Sequence, residues 1–548
     1  MNSSYIRYIL SMMMKIEGGL LLVPAFVGYG YGEQKVALCY ILVALVCEAC
    51  GFLFGIKKVK NHTLYLKDGC IATGACWIVL SFFGALPFVV TKEIPNFFDA
   101  MFESVSGFTT TGATVLSDVE VVSHASLFWR SFTHWIGGMG ILVFILAVIP
   151  LSGGSNLNLM RAESTGASVG KLMPKIRSYA GVLYGIYAGL TFMEFIFLLI
   201  AKMPVFDAVN IAMATAGTGG FGVLNDSMAS YSVAAKWVCA IFMFLFGVNF
   251  YFYYYLIFKK LGKAFHMEEV RIYFSIIIIA VVTITWNILS FYGSFFDALT
   301  DSVFQVATII SSTGFATADF DLWPQQSRLL LMMLTFIGSC AGSTGGGMKV
   351  SRIALLIKTI RKELTTYIHP KSVKRIHMEG KPIEHEVQRS VNVYFVTYAV
   401  IFVASAFLLS FHGDDHETIL TSVTACMNNT GPGLSKVGPT CNYGFYSWWA
   451  KCILIFDMLA GRLELFPLLI LFHPTVWKDL IKRKEEERML KRRIVKELFC
   501  KKMASRFLSR PIFCLGINPV RFLRCTRSCR PHKELRSRLQ PCHQRSFP

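Results

Sequence analysis

Phe102-Glu-Ser-Val-Ser-Gly-Phe-Thr-Thr-Thr-Gly-Ala-Thr114 lies between two long apolar runs, near 70–91 and 128–150, and is itself too short to cross a bilayer. A helical span needs about 20 predominantly apolar residues to cross a hydrocarbon core about 30 Å thick. Three further loops sit in the same position between apolar runs: Ala216-Gly-Thr-Gly-Gly-Phe-Gly222, Ser311-Ser-Thr-Gly-Phe-Ala-Thr317 and Asn428-Asn-Thr-Gly-Pro-Gly433. Thr-Gly steps also occur at Thr73, Thr165 and Thr344, but only these four fall at one place in a repeated unit. The unit is a span, a short amphipathic segment, a Thr/Gly loop and a second span. First spans lie near 70–91, 181–202, 271–292 and 390–411. Second spans lie near 128–150, 236–258, 327–356 and 447–471.

The connections between units are basic: Lys171, Lys175 and Arg177; then Lys259, Lys260 and Lys263; then Arg361, Lys362, Lys371, Lys374 and Arg375. By the positive-inside rule all three face the cytoplasm. Two spans then complete a return trip, so the segment between them must dip in from outside and come back. Irregular backbone at membrane depth is tolerated only where it is buried in protein or faces water. Four such loops in one chain satisfy that by surrounding one aqueous path.

Composition agrees. The 548 residues are 54% hydrophobic and 16% charged, against about 25% charged in soluble domains. The expectation is an all-α integral membrane protein, multi-pass, with an N-terminal two-helix hairpin before the four membrane–pore–membrane repeats. The hairpin spans 9–31 and 36–56, ends at Lys57, Lys58 and Lys60, and has no cleavage site behind it. The divisions are 1–60 for the hairpin, 61–155, 156–262, 263–362 and 363–476 for the repeats, and 477–548 for a basic tail. That tail holds 21 Lys/Arg against 6 Asp/Glu, so +15 of the formal +20 lies beyond the last span. Such a tail suits an anionic lipid surface rather than nucleic acid. Both termini are expected to be cytoplasmic. The 15 cysteines suggest no disulfide framework; most sit inside apolar spans and read as small apolar residues.

The loop chemistry suits a dehydrated cation. Backbone carbonyls can replace its hydration shell. Glycine lets the chain turn those carbonyls inward, and threonine adds a hydroxyl acceptor. An acidic residue precedes each loop glycine by 13 or 14 positions: Asp99, Asp207, Asp301 and Glu417. A pore helix fits the interval, with the carboxylate near its N-terminus, where the helix dipole favours it. Acids on the outer loops (Asp118, Glu120, Asp226, Asp319, Asp321, Asp414 and Asp415) are either solvated loop charge or a mild cation-concentrating field.

Two features lie below the loops. The third unit's second span is interrupted by Gly342-Ser343-Thr344-Gly345-Gly346-Gly347. Each internal Gly costs a helix about 1 kcal/mol, so this run reads as a break that could act as a mobile plug. Met348 before Lys349, with no preceding strand, argues against a P-loop. Arg462 stands inside the last apolar span, where a charge usually faces a cavity and acts. It either projects into the path as a barrier to cations or forms a structural ion pair with Glu464 or Asp457. His134 beside Trp135 reads as a packed structural residue.

On Phe102–Thr114, Trp135-Ile-Gly-Gly-Met-Gly140, Arg161-Ala-Glu-Ser-Thr-Gly166, Gly338–Lys349 and Asn428–Gly433, the chain resembles the Trk/Ktr/HKT superfamily of potassium transporters. The likeness is greatest to its TrkH-type bacterial uptake subunits and covers roughly residues 1–475. The resemblance implies pseudo-fourfold symmetry about a central pore, potassium as the transported ion, and a bacterial inner-membrane location. It also implies a homodimer with a pore in each protomer, and a TrkA-like cytosolic regulatory ring that binds NAD or ATP. Filter residues would be Thr110, Thr111 and Gly112; Thr218 with Gly219 and Gly220; Thr313 and Gly314; and Asn429, Thr430 and Gly431. The second register stays open between Gly219, which continues the Thr-Gly step, and Gly220, which precedes Phe221 as Gly314 precedes Phe315. Gly342–Gly347, Lys349 and Arg462 would form the gate. The loops lack the full TVGYG of dedicated potassium channels. An enzyme is not expected, since no HExxH motif or cluster of His and Cys appears in the spans. Obligate proton- or sodium-coupled symport is the alternative to a conduit.

Overall fold

The computed structural model describes residues 2–56, 65–140, 176–371 and 375–478, with scattered positions between 485 and 499. Met1–Trp477 forms one compact unit and Lys478–Pro548 a second. Every element below belongs to the first. Lys57, Lys58, Lys60, Lys171, Lys175, Lys374, the Arg161–Gly166 motif and positions 141–150 lie outside the described residues.

The chain opens with a hairpin, α1 (Ser3–Gly30) and α2 (Gln34–Gly55). Small residues let the two helices approach closely: a Cβ on Gly51 would meet the Ser11 carbonyl and the Lys15 side chain. The first repeat is α3 (Leu66–Thr91), α4 (Phe97–Phe108) and α5 (His124–Gly138). The second is α6 (Ile176–Ile200), α7 (Val205–Gly217), α8 (Val233–Gly247) and α9 (Phe250–Ile257), followed by a short α10 (Leu261–Phe265). The third is α11 (Glu268–Ile288), α12 (Phe295–Ile310), α13 (Gln325–Ile337) and α14 (Val350–Ile368). A two-stranded antiparallel hairpin, β1 (His377–Met378) and β2 (Lys381–Pro382), leads to the fourth: α15 (His385–Ser410), α16 (His416–Met427), α17 (Trp448–Arg462) and α18 (Phe466–Phe472).

Among the described residues, six helices are long and apolar enough to cross a membrane, or seven if the bent pair α8–α9 counts as one span. On α11 the division of faces is plain. Ile277, Ala280, Ile284 and Ile288 are buried, whereas Ile278, Ile279, Val282 and Trp286 are exposed. An apolar exposed face of this kind belongs in lipid.

The second spans differ from the sequence expectation, which broke only the third. α8 and α9 meet at 92°, and α17 stops before Glu464 and Leu465, both with positive φ. A 15-residue helix reaches only about 22 Å, so these spans stop within the membrane thickness. The physical reason in the second repeat is a cap: Asn249 accepts the Tyr251 N–H on its side chain (3.0 Å) and restarts the helix in a new direction.

The repeats lock in a ring. The second span of each packs against the pore helix of the next: α5 on α7, α8 on α12, α13 on α16, and α17 back on α4.

Candidate ion-conducting site

All four pore helices end by one device. The residue after the last turn is left-handed: Thr110 (φ 56), Thr218 (φ 55), Ser312 (φ 59) and Asn429 (φ 53). The next residue's N–H reaches back to the carbonyl five earlier: Thr111 to Ser106, Gly219 to Ala214, Thr313 to Thr308, and Thr430 to Ala425, at 2.8–2.9 Å. This is the Schellman arrangement, usually built on glycine. Left-handed L-residues cost about 1 kcal/mol or more each, and such strain concentrates at functional sites. One residue further on, each chain turns left-handed again at Gly112 (φ 81), Gly220 (φ 78), Gly314 (φ 95) and Gly431 (φ 90). Gly220 therefore occupies the position of the other three glycines, and Gly219 that of Thr111, Thr313 and Thr430.

None of the four glycines has room for a side chain beside the next loop. A Cβ on Gly112 would fall within 3.0 Å of the Gly219 carbonyl oxygen, one on Gly220 of Thr313 O, one on Gly314 of Thr430 O, and one on Gly431 of Thr111 O. The struck carbonyl always belongs to the residue before the next loop's glycine, and the sequence of contacts returns to its start. Four backbone carbonyls thus stand in one closed ring. Hydroxyls brace it: Thr109 and Thr111 pair at 2.8 Å, Ser311 and Thr313 at 2.6 Å, and the Asn429 amide donates to Thr111 Oγ1 (2.9 Å). Four helix C-termini, each equivalent to roughly half a negative charge, end on this ring. The site can strip and hold a small cation, and it disfavours anions.

The acids at the pore-helix N-termini follow expectation in three cases. Asp99, Asp207 and Glu417 stand in first turns. In the third helix the first-turn acid is Asp297, because α12 begins earlier than the spacing predicts. Asp301 lies a turn inside and accepts the Thr317 hydroxyl (2.8 Å).

Behind the ring sits a pair that the sequence reading missed. Arg130 and Glu103 form a buried ion pair at 2.8 Å. Glu103 also accepts the Thr114 hydroxyl and the Val115 N–H, while the guanidinium lies 4.0 Å over the Phe221 ring. A charge of each sign inside apolar segments was the available signal. His134 is buried, as expected of a packed residue. Its Nδ1–H donates to Gly107 O (2.8 Å) and its Nε2 accepts the Phe221 N–H (3.3 Å), which ties the first pore helix to the second loop.

The interruption at 338–349 lies against the same ring. Gly346 N–H donates to Ser312 Oγ (2.5 Å) and Gly347 N–H to Asn428 O (3.1 Å). Gly338, Gly342, Gly347 and Lys349 all have positive φ. Lys349 folds back to donate its ammonium to Gly345 O. Ser343 bonds the Ser339 hydroxyl at 2.7 Å. Arg462 reaches across from α17: Nη1 donates to Thr344 O (2.9 Å), and Nη2 to Gly137 O and Gly138 O (2.5 and 2.8 Å). The two acids considered as its partners each bond another side chain. Glu464 pairs with Arg352, and Asp457 accepts the Ser405 hydroxyl (2.7 Å). The structure therefore brings the predicted loop residues, the interruption and Arg462 together.

Comparison with known proteins gives the family. Residues 42–479 match the family model of TrkH, cation transport protein. The Trk system potassium uptake protein TrkH of Salmonella typhimurium is 35% identical over 488 residues, covering 87% of this chain and all of that protein. Trk system potassium uptake protein TrkG of Escherichia coli K12 is 31% identical over 492 residues, again 87% of this chain and all of the relative. The crystal structure of the potassium transporter TrkH from Vibrio parahaemolyticus superposes with a TM-score of 0.78 at 32% identity, over 87% of this chain and 100% of that one.

Proposed function

The chain belongs to the TrkH family of cation transport proteins, and from that premise we propose that it takes up potassium across a bacterial cytoplasmic membrane through a gated, channel-like pore. The observation that carries this reading is the closed ring of four carbonyls, each packed on the glycine of the preceding loop. Thr111, Gly219, Thr313 and Thr430 supply those carbonyls, and Gly112, Gly220, Gly314 and Gly431 shape them. Potassium is the cargo. The loop at 342–347 with Lys349 is the gate, and Arg462 holds it shut while placing a positive charge against the path.

The repeat divisions at 61–155, 156–262, 263–362 and 363–476 belong to the same proposal. So do cytoplasmic termini, a homodimer with one pore per protomer, and control by a cytosolic nucleotide-binding ring. The relatives' Trk system naming supports a partner subunit. Conduit is favoured over obligate symport because the ring offers carbonyls and hydroxyls, whereas coupled carriers usually place ionisable side chains at the substrate site. The test is growth of an uptake-deficient host on low potassium, paired with rubidium flux into liposomes with and without a pH gradient. Gly112→Ser and Gly431→Ser should abolish growth. Flux that vanishes without the gradient would replace the conduit with symport.

A further inference from the structure

The interruption at 338–349 has two lobes held by different means. Thr344–Gly347 lies against the carbonyl ring. Cys340–Gly342 turns instead onto the bend of the second repeat, where the Cys340 N–H donates to Gly247 O and the Phe250 N–H donates to Gly342 O, both at 3.0 Å. One side chain joins the two partners. Glu269, in the first turn of α11 and 3% exposed, accepts the Ala341 N–H on Oε1 (2.6 Å) and the Asn249 amide on Oε2 (3.2 Å). Asn249 is the cap of the 92° bend, so the carboxylate ties the break in the second repeat to the break in the third.

The preceding residue makes a second tie. Glu268 accepts the Lys358 ammonium of α14 (2.5 Å) and the Glu379 N–H of the β-hairpin turn (3.4 Å), and Lys358 also donates to His377 O (2.8 Å). Adjacent carboxylates at the start of α11 therefore hold, respectively, the interruption and the helix that follows it. Burying a carboxylate is unfavourable unless its oxygens are bonded, and an apolar residue would fill the space more cheaply. Glu269 is suited to fixing backbone rather than to filling volume.

We propose that Glu269 is a positioning residue of the gate, a fixed anchor that clamps the Cys340–Gly342 lobe to the second-repeat bend so that the Thr344–Gly347 lobe is presented to the ring. This rests on reading the interruption as the gate. Removing the anchor leaves the loop with its ring contacts, Arg462 and two backbone bonds to the bend, and shifts it toward displaced positions.

Rubidium flux of the purified full chain in liposomes, without any partner, tests this. Arg462→Ala serves as the control for the gate itself. A second readout is the rate at which a membrane-permeant maleimide labels the buried Cys340, followed by mass spectrometry. Glu269→Ala should raise basal flux about threefold or more, accelerate Cys340 labelling, and leave the rubidium/sodium ratio unchanged. Glu269→Gln keeps an acceptor for the Ala341 N–H but sets its amide NH2 against that of Asn249, and should fall between the parent and Glu269→Ala in both assays. If Arg462→Ala raises flux while Glu269→Ala leaves labelling at the parent rate, the anchor is overturned and the gate stands. If Arg462→Ala leaves flux unchanged, the gate reading fails, and faster Cys340 labelling in Glu269→Ala alone upholds the anchor. Should Glu269→Ala not accumulate, Glu269→Asp, with its carboxylate retracted by one methylene, is read in the same assays by the same criteria.

Discussion

Lys451 and Asp99 meet at 2.6 Å across the seam between the fourth repeat and the first. Lys451 is the fourth residue of α17, and Asp99 stands in the first turn of α4. Arg328, the fourth residue of α13, meets Glu417 of α16 in the same way at 2.6 Å. The two pairs make one joint used twice: a cation near the start of a second span seats the acidic N-terminus of the following pore helix. Lys451 is 3% exposed, against 23% for the Arg328 side chain. Lys451→Ala should therefore cost more than Arg328→Ala, up to roughly 3 kcal/mol against under about 1 kcal/mol. Thermal unfolding of the detergent-purified protein reads the difference.

The glycines allow a sharper separation. A Cβ on Gly220 meets backbone, the Thr313 carbonyl, whereas one on Gly219 meets the His134 ring. Gly220→Ala should abolish rubidium uptake whatever residue stands at 134. Gly219→Ala should be damaging alone and partly rescued by His134→Ala, because that obstacle is a side chain. Equal rescue of both substitutions would contradict the backbone ring.

Arg462 donates to three carbonyls on two elements. A lysine can reach at most part of that set from one ammonium and lacks the planar fork. Basal flux should rank Arg462→Ala above Arg462→Lys above the parent, with the largest step about tenfold, equivalent to about 1.4 kcal/mol of lost closure.

Arg130 and Glu103 are each nearly fully buried. Removing one leaves the other uncompensated, at about 3–5 kcal/mol. Arg130→Ala and Glu103→Ala should each destabilise strongly, and the double variant should cost clearly less than their sum. Melting temperatures of the three variants form the cycle. Strict additivity would show that the pair does not act as a unit.

What the sequence disclosed, and what it did not, follows from where the information sits. The dips were legible because length alone forbids a third crossing, and the loop glycines because left-handed turns need them. The third break was legible in Gly342–Gly347. The 92° bend was not, since apolar residues continue through it from Val233 to Ile257 and the signal is the cap at Asn249. Asp297 was masked by Asp301, which keeps the 13-residue interval to Gly314 without standing at the helix start. The register of Gly220 needed dihedral angles. Glu269 and Glu103 were hidden because their partners lie 11 to 72 positions away at no regular interval, and some offer only backbone. Pairing of that kind leaves no spacing to read.

The cyclic contact of glycine on carbonyl carries one more consequence. Hard contacts resist compression far more steeply than they resist separation. With every quadrant already touching the next at Gly112, Gly220, Gly314 and Gly431, the aperture has a lower bound on its size but no comparably stiff upper one. Such an opening discriminates against ions smaller than its resting width, because the carbonyls cannot follow them inward, and it yields more readily to larger ones. If the proposed reading holds, competition flux in liposomes is expected to show tolerance of rubidium beside poor accommodation of sodium. No single loop can be narrowed without the other three giving way.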